Sequence, residues 1–484
     1  MDAQILWSHF EQICQIPHAS GHLDAMRVYI IKCVESAEET ADVDAAGNVR
    51  VLLSASPEWL ARQDQKEPHI TTLQAHMDMV VQANAETSFN FFSDPIRPCK
   101  AGGKMTATGT SLGADNGIGM AAMLAILSDK RCLHGPLELL FTVDEEVGMK
   151  GVHNLPSDWL KGKYLLNLDA EQEGELMLGC AGAVDITATY RYKLEPGIPE
   201  GDTAVLLTLK GLKGGHSGMD IHLGRGNACK LMVRFLKHAV VNFEARLAWV
   251  QGGGVRNAIP REASAVLTVP SEVVDDLLDE VAYYADLFRY ELRGIDPGVV
   301  FAAQVIDDPE SLVPEEVQDD ILNSLEAAHD GIFRYVPDMP NVVETSSNLA
   351  TISMEHAEGA GLCSVTMMVR SMNEEMKRAL ASRLQSCFIL GGARVQFSAA
   401  YPGWEEPLNG ALPTRVRNAY RQLFGTEMKV NSVHCGLECG VIRSKYPQME
   451  IASIGPTIRH PHSPEESVDI ESVERFWQLL LAII

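Results

Sequence analysis

Apolar runs of strand length recur in this chain and stop abruptly at acids or beside a histidine. Leu139 to Val143 is followed directly by Asp144, Glu145 and Glu146, which reads as a buried strand leaving its sheet at three carboxylates. Thr72-Leu-Gln-Ala-His76-Met-Asp78-Met-Val80 reads as a second strand and Tyr164-Leu-Leu-Asn-Leu-Asp169 as a third. Side chains alternate along a strand, so His76 and Asp78 are expected on one face. The glycine-rich Gly109-Thr-Ser-Leu-Gly-Ala-Asp115-Asn116-Gly117 leads into a helix-like Ile118 to Leu127. Between about 187 and 402 the pattern changes. Strand alternation at Ala204 to Leu209 and helix-like runs at Ala228 to Val240 and Glu272 to Leu292 carry no acid-tipped strand of this kind.

This distribution predicts an α/β fold with a mixed central sheet, formed by residues 1–186 together with 403–484. An inserted α+β domain occupies 187–402, and the chain returns at the turn-like Tyr401-Pro-Gly-Trp404. Inside the insert, Val255-Arg-Asn257-Ala-Ile-Pro260 is echoed by Ser347-Asn348-Leu-Ala-Thr-Ile352. Each precedes a strand-like segment, Ala263 to Val269 and Cys363 to Val369. The insert therefore reads as an internal duplication.

His76, Asp115, Glu146, Asp169 and one late histidine make a mixed nitrogen and oxygen donor set. Such a set suits zinc, and also cobalt or manganese. Four or five ligands, three of them carboxylates, are more than one tetrahedral ion needs, which points to two divalent metal ions sharing a bridge, as in aminopeptidases and phosphatases. Each residue also has an ordinary alternative: a core histidine, a helix cap, a strand-end turn. Five residues, each at a strand exit or in a Gly/Pro loop, argue for the joint function. The late histidine is His460 or His462, in a loop stiffened by prolines.

Composition narrows the partners. A net charge of −25 over 484 residues argues against nucleic acid, which needs a basic footprint, and against anionic membranes. The ten cysteines show no disulfide-like or zinc-finger spacing. Met1-Asp2-Ala3-Gln4 has no basic, then apolar, leader, and the apolar Leu479 to Ile484 is too short to span a bilayer. A cytoplasmic location is expected.

His76-Met-Asp78, Gly113-Ala-Asp115-Asn116, Asp144-Glu145-Glu146-Val-Gly148, Asn167-Leu-Asp169 and His462-Ser-Pro-Glu465 resemble, in this order, the motifs of the di-zinc aminoacylase/carboxypeptidase family. Gly214-Gly-His216-Ser-Gly218 and His434-Cys-Gly-Leu-Glu438-Cys-Gly440 resemble its aminoacyl-histidine dipeptidase branch. The resemblance implies a catalytic domain and a lid domain, with the lid of simpler members about half the size of this insert and used for dimerisation. A homodimer is accordingly expected. It selects His462 over His460, because the family's ligand directly precedes a small residue, a proline and an acid.

On this reading Asp115 bridges two ions, His76 and Asp169 complete one, and Glu146 and His462 the other. Asp78 holds the His76 ring. Glu145, turned away from Glu146 on an extended chain, is the general base. His216 resembles the lid histidine that supports the carbonyl oxygen, often across a dimer; otherwise it is a surface histidine. Asn257 is a candidate for substrate binding. The family's carboxylate-binding arginine is missing from Ala265-Val-Leu-Thr-Val269, and Arg370 is the nearest substitute, unless it is an ordinary strand-end charge. Glu438 is a candidate for the substrate's free amine, or else a helix cap. The resemblance further implies a cis peptide bond between Asp115 and Asn116. Its substrates are unblocked dipeptides, including Xaa-His and β-alanyl-histidine. An aminoacylase, a carboxypeptidase or a non-catalytic binding protein on the same scaffold are the alternatives, and a two-metal phosphatase fits the donors but not the order of motifs.

Overall fold

Every residue of Thr71–His76 and of Leu137–Thr142 is buried, as strands covered on both faces of a parallel sheet must be. The computed structural model describes residues 3–61, 68–84, 86–337 and 339–484. Thr71–His76 lies parallel between Leu137–Thr142 and Tyr164–Asn167, and Glu450–Ser453 runs parallel beyond Tyr164–Asn167. The register sets His76 beside Thr142, Gln74 beside Asn167, and Asn167 beside Ser453. The carboxyl ends of these strands therefore open on one edge, the position where α/β sheets build sites. Antiparallel Val49–Leu53 and Glu175–Cys180 flank them, so the sheet is mixed.

The strand carrying His76 is shorter than its apolar run. It stops at His76, after which the Met77 amide donates to the Thr142 carbonyl and the Met79 amide to the His18 carbonyl. Asp78 thus lies in a bend outside the sheet, and strand alternation does not govern its direction. The helix Ala114–Ser128 is buried at every position through Leu127. It is apolar on nearly all sides because it packs between the helix Gln4–Cys14 and the strand Thr71–His76. Gly117 permits that approach: a Cβ there would lie 3.0 Å from the Phe10 ring.

The chain forms two compact units, Met1–Gly179 with Trp404–Ser432 and Leu437–Ile484, and Cys180–Gly403 with Val433–Gly436. The sequence reading set the first boundary at 186. That position falls within the unbroken strand Gly182–Lys193, which belongs to the second unit's sheet.

The second unit's sheet runs Val300–Val305, Asp202–Lys210, Ala263–Pro270, Arg246–Gly253, Met339–Ala357, Ala360–Ser371, Gly182–Lys193, Arg394–Tyr401. Its elements fall into two βαββαβ sets. One is Asp202–Lys210, helix Ala228–Phe243, Arg246–Gly253, Ala263–Pro270, helix Val274–Glu291 and Val300–Val305. The other is Gly182–Lys193, helix Glu315–Ala327, Met339–Ala357, Ala360–Ser371, helix Glu374–Leu390 and Arg394–Tyr401. Each has the strand order fourth, first, third, second, and they meet at their second strands through Gly252 with Ile352 and Gly253 with Thr351. The echoed strands of the sequence occupy the third position of each set. No helix among the described residues is long and apolar enough to cross a membrane.

Candidate metal centre

The edge of the first unit's sheet gathers the four strand-end and loop candidates, and a late loop adds His462. His76 Nε2 lies 3.0 Å from Asp115 Oδ1 and 3.3 Å from Asp169 Oδ1. His462 Nε2 lies 3.1 Å from Asp115 Oδ2 and 2.9 Å from Glu146 Oε1. The two oxygens of Asp115 thus face different imidazoles, one with Asp169 and the other with Glu146. Candidate donor atoms of His76, Asp115 and Glu146 lie within 4.8 Å of one another. The Asp115–Asn116 peptide bond is cis, and the Asn116 side-chain Nδ2 donates to Asp169 Oδ1.

Local backbone geometry aims these groups. His76 Nδ1 is 3.0 Å from the Asp78 backbone carbonyl and 3.6 Å from its carboxylate. Donation to that carbonyl leaves Nε2 pointing at Asp115 and Asp169. The Asp78 carboxylate has other partners: it accepts from the amides of Glu145 at 3.0 Å and Glu146 at 3.2 Å and from the Ser20 hydroxyl at 2.7 Å. It anchors the turn that presents the two glutamates. Asp78 therefore serves this turn as well as lying beside the His76 ring. The extended chain expected at Glu145 is also a turn, closed by the Gly148 and Met149 amides donating to the Glu145 carbonyl. The strand Leu137–Thr142 ends before the acids, and Asp144 adopts a positive φ of 53°.

The electrostatics show the surplus of negative charge. Burial opposes ionisation of Asp115, but His462 and His76 hold its carboxyl below the usual range. Burial pushes Asp169 up to about 6, against His76 and with the charges of Asp115 and Glu146. Burial also raises Glu145, reinforced by Asp169, Glu146 and Glu438. Burial would lower His462, yet Asp115 and Glu146 carry it to about 11. Among the described residues no lysine or arginine pairs with Asp115, Glu146 or Asp169. Convergent carboxylates with two imidazoles and no fixed cation fit divalent metal ions.

Glu438 is fully buried, where Gln74 Nε2 and the Thr142 hydroxyl each donate to it at 2.6 Å. It sits at the first position of the helix Glu438–Lys445, and burial raises it to about 8.

In the second unit, Arg370 and His216 come together. Arg370 is 3% exposed. Its guanidinium donates to the Tyr401 hydroxyl at 3.0 Å and the Ser217 hydroxyl at 3.4 Å, and lies 3.4 Å from His216 Nε2. No carboxylate among the described residues pairs with it. His216 Nδ1 accepts from the amides of Gly218 and Met219, so the neutral ring carries its proton on Nε2. Burial, then Arg370, lowers His216 to about 4. Asn257 is exposed, and its carbonyl accepts from the Ser217 amide at 2.8 Å.

Several residues here were not singled out from the sequence. Ser20 lies in no segment that the sequence reading quotes, while Ser217 and Tyr401 lie within quoted segments that give them no role. His434, whose Nε2 lies 2.7 Å from the Ser346 hydroxyl, was quoted within a motif but given no role. Glu466, next to the His462-Ser-Pro-Glu465 motif, carries no signal of its own in the sequence.

Known proteins resemble this chain along its whole length. The chain is 39% identical over 484 residues to the cytosol non-specific dipeptidase of Escherichia coli, covering 100% of this chain and 98% of that protein. The crystal structure of an aminoacylhistidine dipeptidase from Vibrio alginolyticus superposes with a TM-score of 0.88 at 40% identity, covering 99% and 95% of the two chains. A tripeptidase from Staphylococcus aureus shares the fold, with a TM-score of 0.59 at 16% identity and coverage of 100% and 98%. Residues 72–484 match the peptidase family M20/M25/M40, and with strand-end acids and histidines arranged as a metal centre, this chain belongs to that family.

Proposed function

We propose that the protein is a metal-dependent dipeptidase acting on unblocked dipeptides, Xaa-His and β-alanyl-histidine among them. The observation that carries the reading is the split of Asp115, one oxygen toward His76 and Asp169 and the other toward His462 and Glu146. His76 and Asp169 would hold one ion, His462 and Glu146 a second, and Asp115 would serve both. Zinc suits these donors best, and cobalt or manganese are accepted by the same set. When bound, the ions supply Lewis acidity, acidifying water and polarising the scissile carbonyl. Glu145 takes the proton from the attacking water and returns it to the leaving amine. Asp78 holds Glu145 and Glu146 through their amides.

Substrate recognition draws on the second unit. A guanidinium buried without a carboxylate is costly unless a ligand supplies one, and a dipeptide carries a free carboxylate. The neutral His216, its Nδ1 accepting from two backbone amides, would turn its Nε2–H toward a carbonyl oxygen gaining negative charge rather than toward the Arg370 guanidinium, which itself only donates. The names of the two full-length relatives favour dipeptides over longer chains or acylated amino acids. The test is release of free histidine from β-alanyl-histidine, compared with hydrolysis of an N-acetyl amino acid, with zinc or cobalt added. Cleavage of the dipeptide is expected; preference for the acetylated substrate would make the protein an aminoacylase.

A further inference from the structure

Glu466 makes more backbone contacts to the Asp115 loop than any side chain of the metal centre does. It is 2% exposed. Its Oε2 accepts from the amides of Leu112 at 2.8 Å and Gly113 at 3.0 Å. Its Oε1 accepts from Ala114 at 2.8 Å and Asp115 at 3.3 Å. Four consecutive amides therefore converge on one carboxylate. A helix start leaves such amides without partners and usually satisfies them with a local capping side chain. Here the N-cap position is Gly113, at φ 72°, and it has no side chain to offer. The Gly113 site is also crowded, since a Cβ would fall 2.9 Å from Met79 Sδ. The loop cannot cap itself.

The substitute comes from the turn that carries His462. The Glu466 amide donates to the Ser463 carbonyl at 3.1 Å, and the Ser463 hydroxyl donates to the His460 carbonyl at 2.8 Å. Two segments far apart in sequence are thus joined twice: through His462 Nε2 facing Asp115 Oδ2, and through Glu466 gripping the Asp115 backbone. The first junction lies where an ion would sit, and the second involves no donor of the set. Inside the helix, Asp115 has non-helical angles, φ −84° and ψ 107°, so its orientation is not dictated by helix geometry.

We infer that Glu466 is a positioning residue for the metal centre: it fixes Asp115 relative to His462 so that one aspartate serves both halves of the site. Residues that orient metal ligands typically contribute 10–100-fold in affinity or activity. The inference rests on the two-ion reading of the centre, and the experiment separates the two. Apoprotein would be titrated with Co2+, following both the number of ions bound and the visible absorption bands that report coordination geometry. Wild type, Glu466→Gln, Glu466→Asp and Glu465→Gln would be compared, with thermal melting of each apoprotein.

Glu466→Gln keeps one acceptor oxygen but turns an NH2 group toward two amides. Glu466→Asp keeps the charge and shortens the reach, separating position from electrostatics. Both are expected to fold, to bind Co2+ at least ~10-fold more weakly and to show altered bands, while Glu465→Gln behaves as wild type. Wild-type affinity and bands in both folded Glu466 variants would overturn the positioning role. Weak binding in Glu466→Gln alone would reduce Glu466 to an electrostatic contributor, and loss of folding in both would make it a structural cap; either outcome overturns the inference. Wild type binding a single ion would instead overturn the two-ion reading.

Discussion

The metal centre of the first unit and the Arg370 cluster of the second are electrostatic opposites. In one, Asp115, Glu146 and Asp169 face two imidazoles with no lysine or arginine paired to them among the described residues. In the other, a buried guanidinium is surrounded by Ser217, Tyr401 and His216, all neutral. The carboxylates of the first are countered only by the raised imidazoles of His76 and His462, and burying charge without a fixed counter-charge costs several kcal/mol, so each arrangement suits a ligand of the opposite sign. Cations suit the first and a carboxylate suits the second. The comparison shows in each region buried charge with no lysine, arginine or carboxylate of opposite sign paired to it among the described residues, and the sign of that charge indicates the chemistry of a suitable ligand. The two regions also differ in construction. The metal centre hangs on adjacent strand ends of one sheet, whereas the cluster joins His216 of one βαββαβ set to Arg370 of the other.

The sharpest way to break the comparison is to remove the shared ligand. Asp115→Ala is expected to lose both ions and all measurable activity, by metal analysis and dipeptide turnover; two retained equivalents of metal would refute the shared role. Glu145→Gln should separate proton transfer from metal holding. It is expected to keep its metal and lower kcat by ~10²–10⁴-fold, whereas Glu146→Gln should lose metal; the reverse pattern would exchange their roles.

On the cluster side, His216→Ala is expected to keep its metal and lose ~10²–10³-fold in kcat, the effect of a missing oxyanion donor. Mixing it with Glu145→Gln protein should restore no activity. The Arg246–Gly253 strand is joined to Met339–Ala357 of the same chain. Recovered activity in the mixture would show that the histidine is exchanged between subunits. The smallest effect is expected for Arg370→Met: about 2 kcal/mol, or ~30-fold in kcat/KM, mainly through KM. Wild type should disfavour dipeptide amides over free dipeptides by a similar factor, and the variant should not. Equal discrimination in both proteins would remove Arg370 from carboxylate recognition.

The donors were legible because their signal is local. An apolar strand followed at once by Asp144, Glu145 and Glu146, or carrying His76 near its end, shows its chemistry within ten residues. Parallel packing then brings such ends together without further instruction. The helix after Asp115 was legible for the same reason, although its 114–128 span begins earlier than its apolar pattern. The turn at Glu145 was not. Its geometry depends on Asp78 accepting from two amides across the sheet edge, and no periodicity within residues 139–148 encodes that.

What the sequence by itself determined is the inventory and its order: which strands end in donors, where the insert interrupts, and which donor types are on offer. Those follow from side-chain chemistry and short-range alternation, which act over a few residues. Only the tertiary structure decided that Asp78 accepts from the amides of the Glu145 turn while lying beside the His76 ring, and that Arg370 lies buried beside His216 with no carboxylate paired to it among the described residues. It also decided that Glu466 accepts from the amides of the Asp115 loop, and that the insert's strands interleave into two sets meeting at their second strands. Each of these is a contact between residues distant in the chain, set by which backbone amides need partners once the sheets have formed, and a linear pattern holds no record of that need.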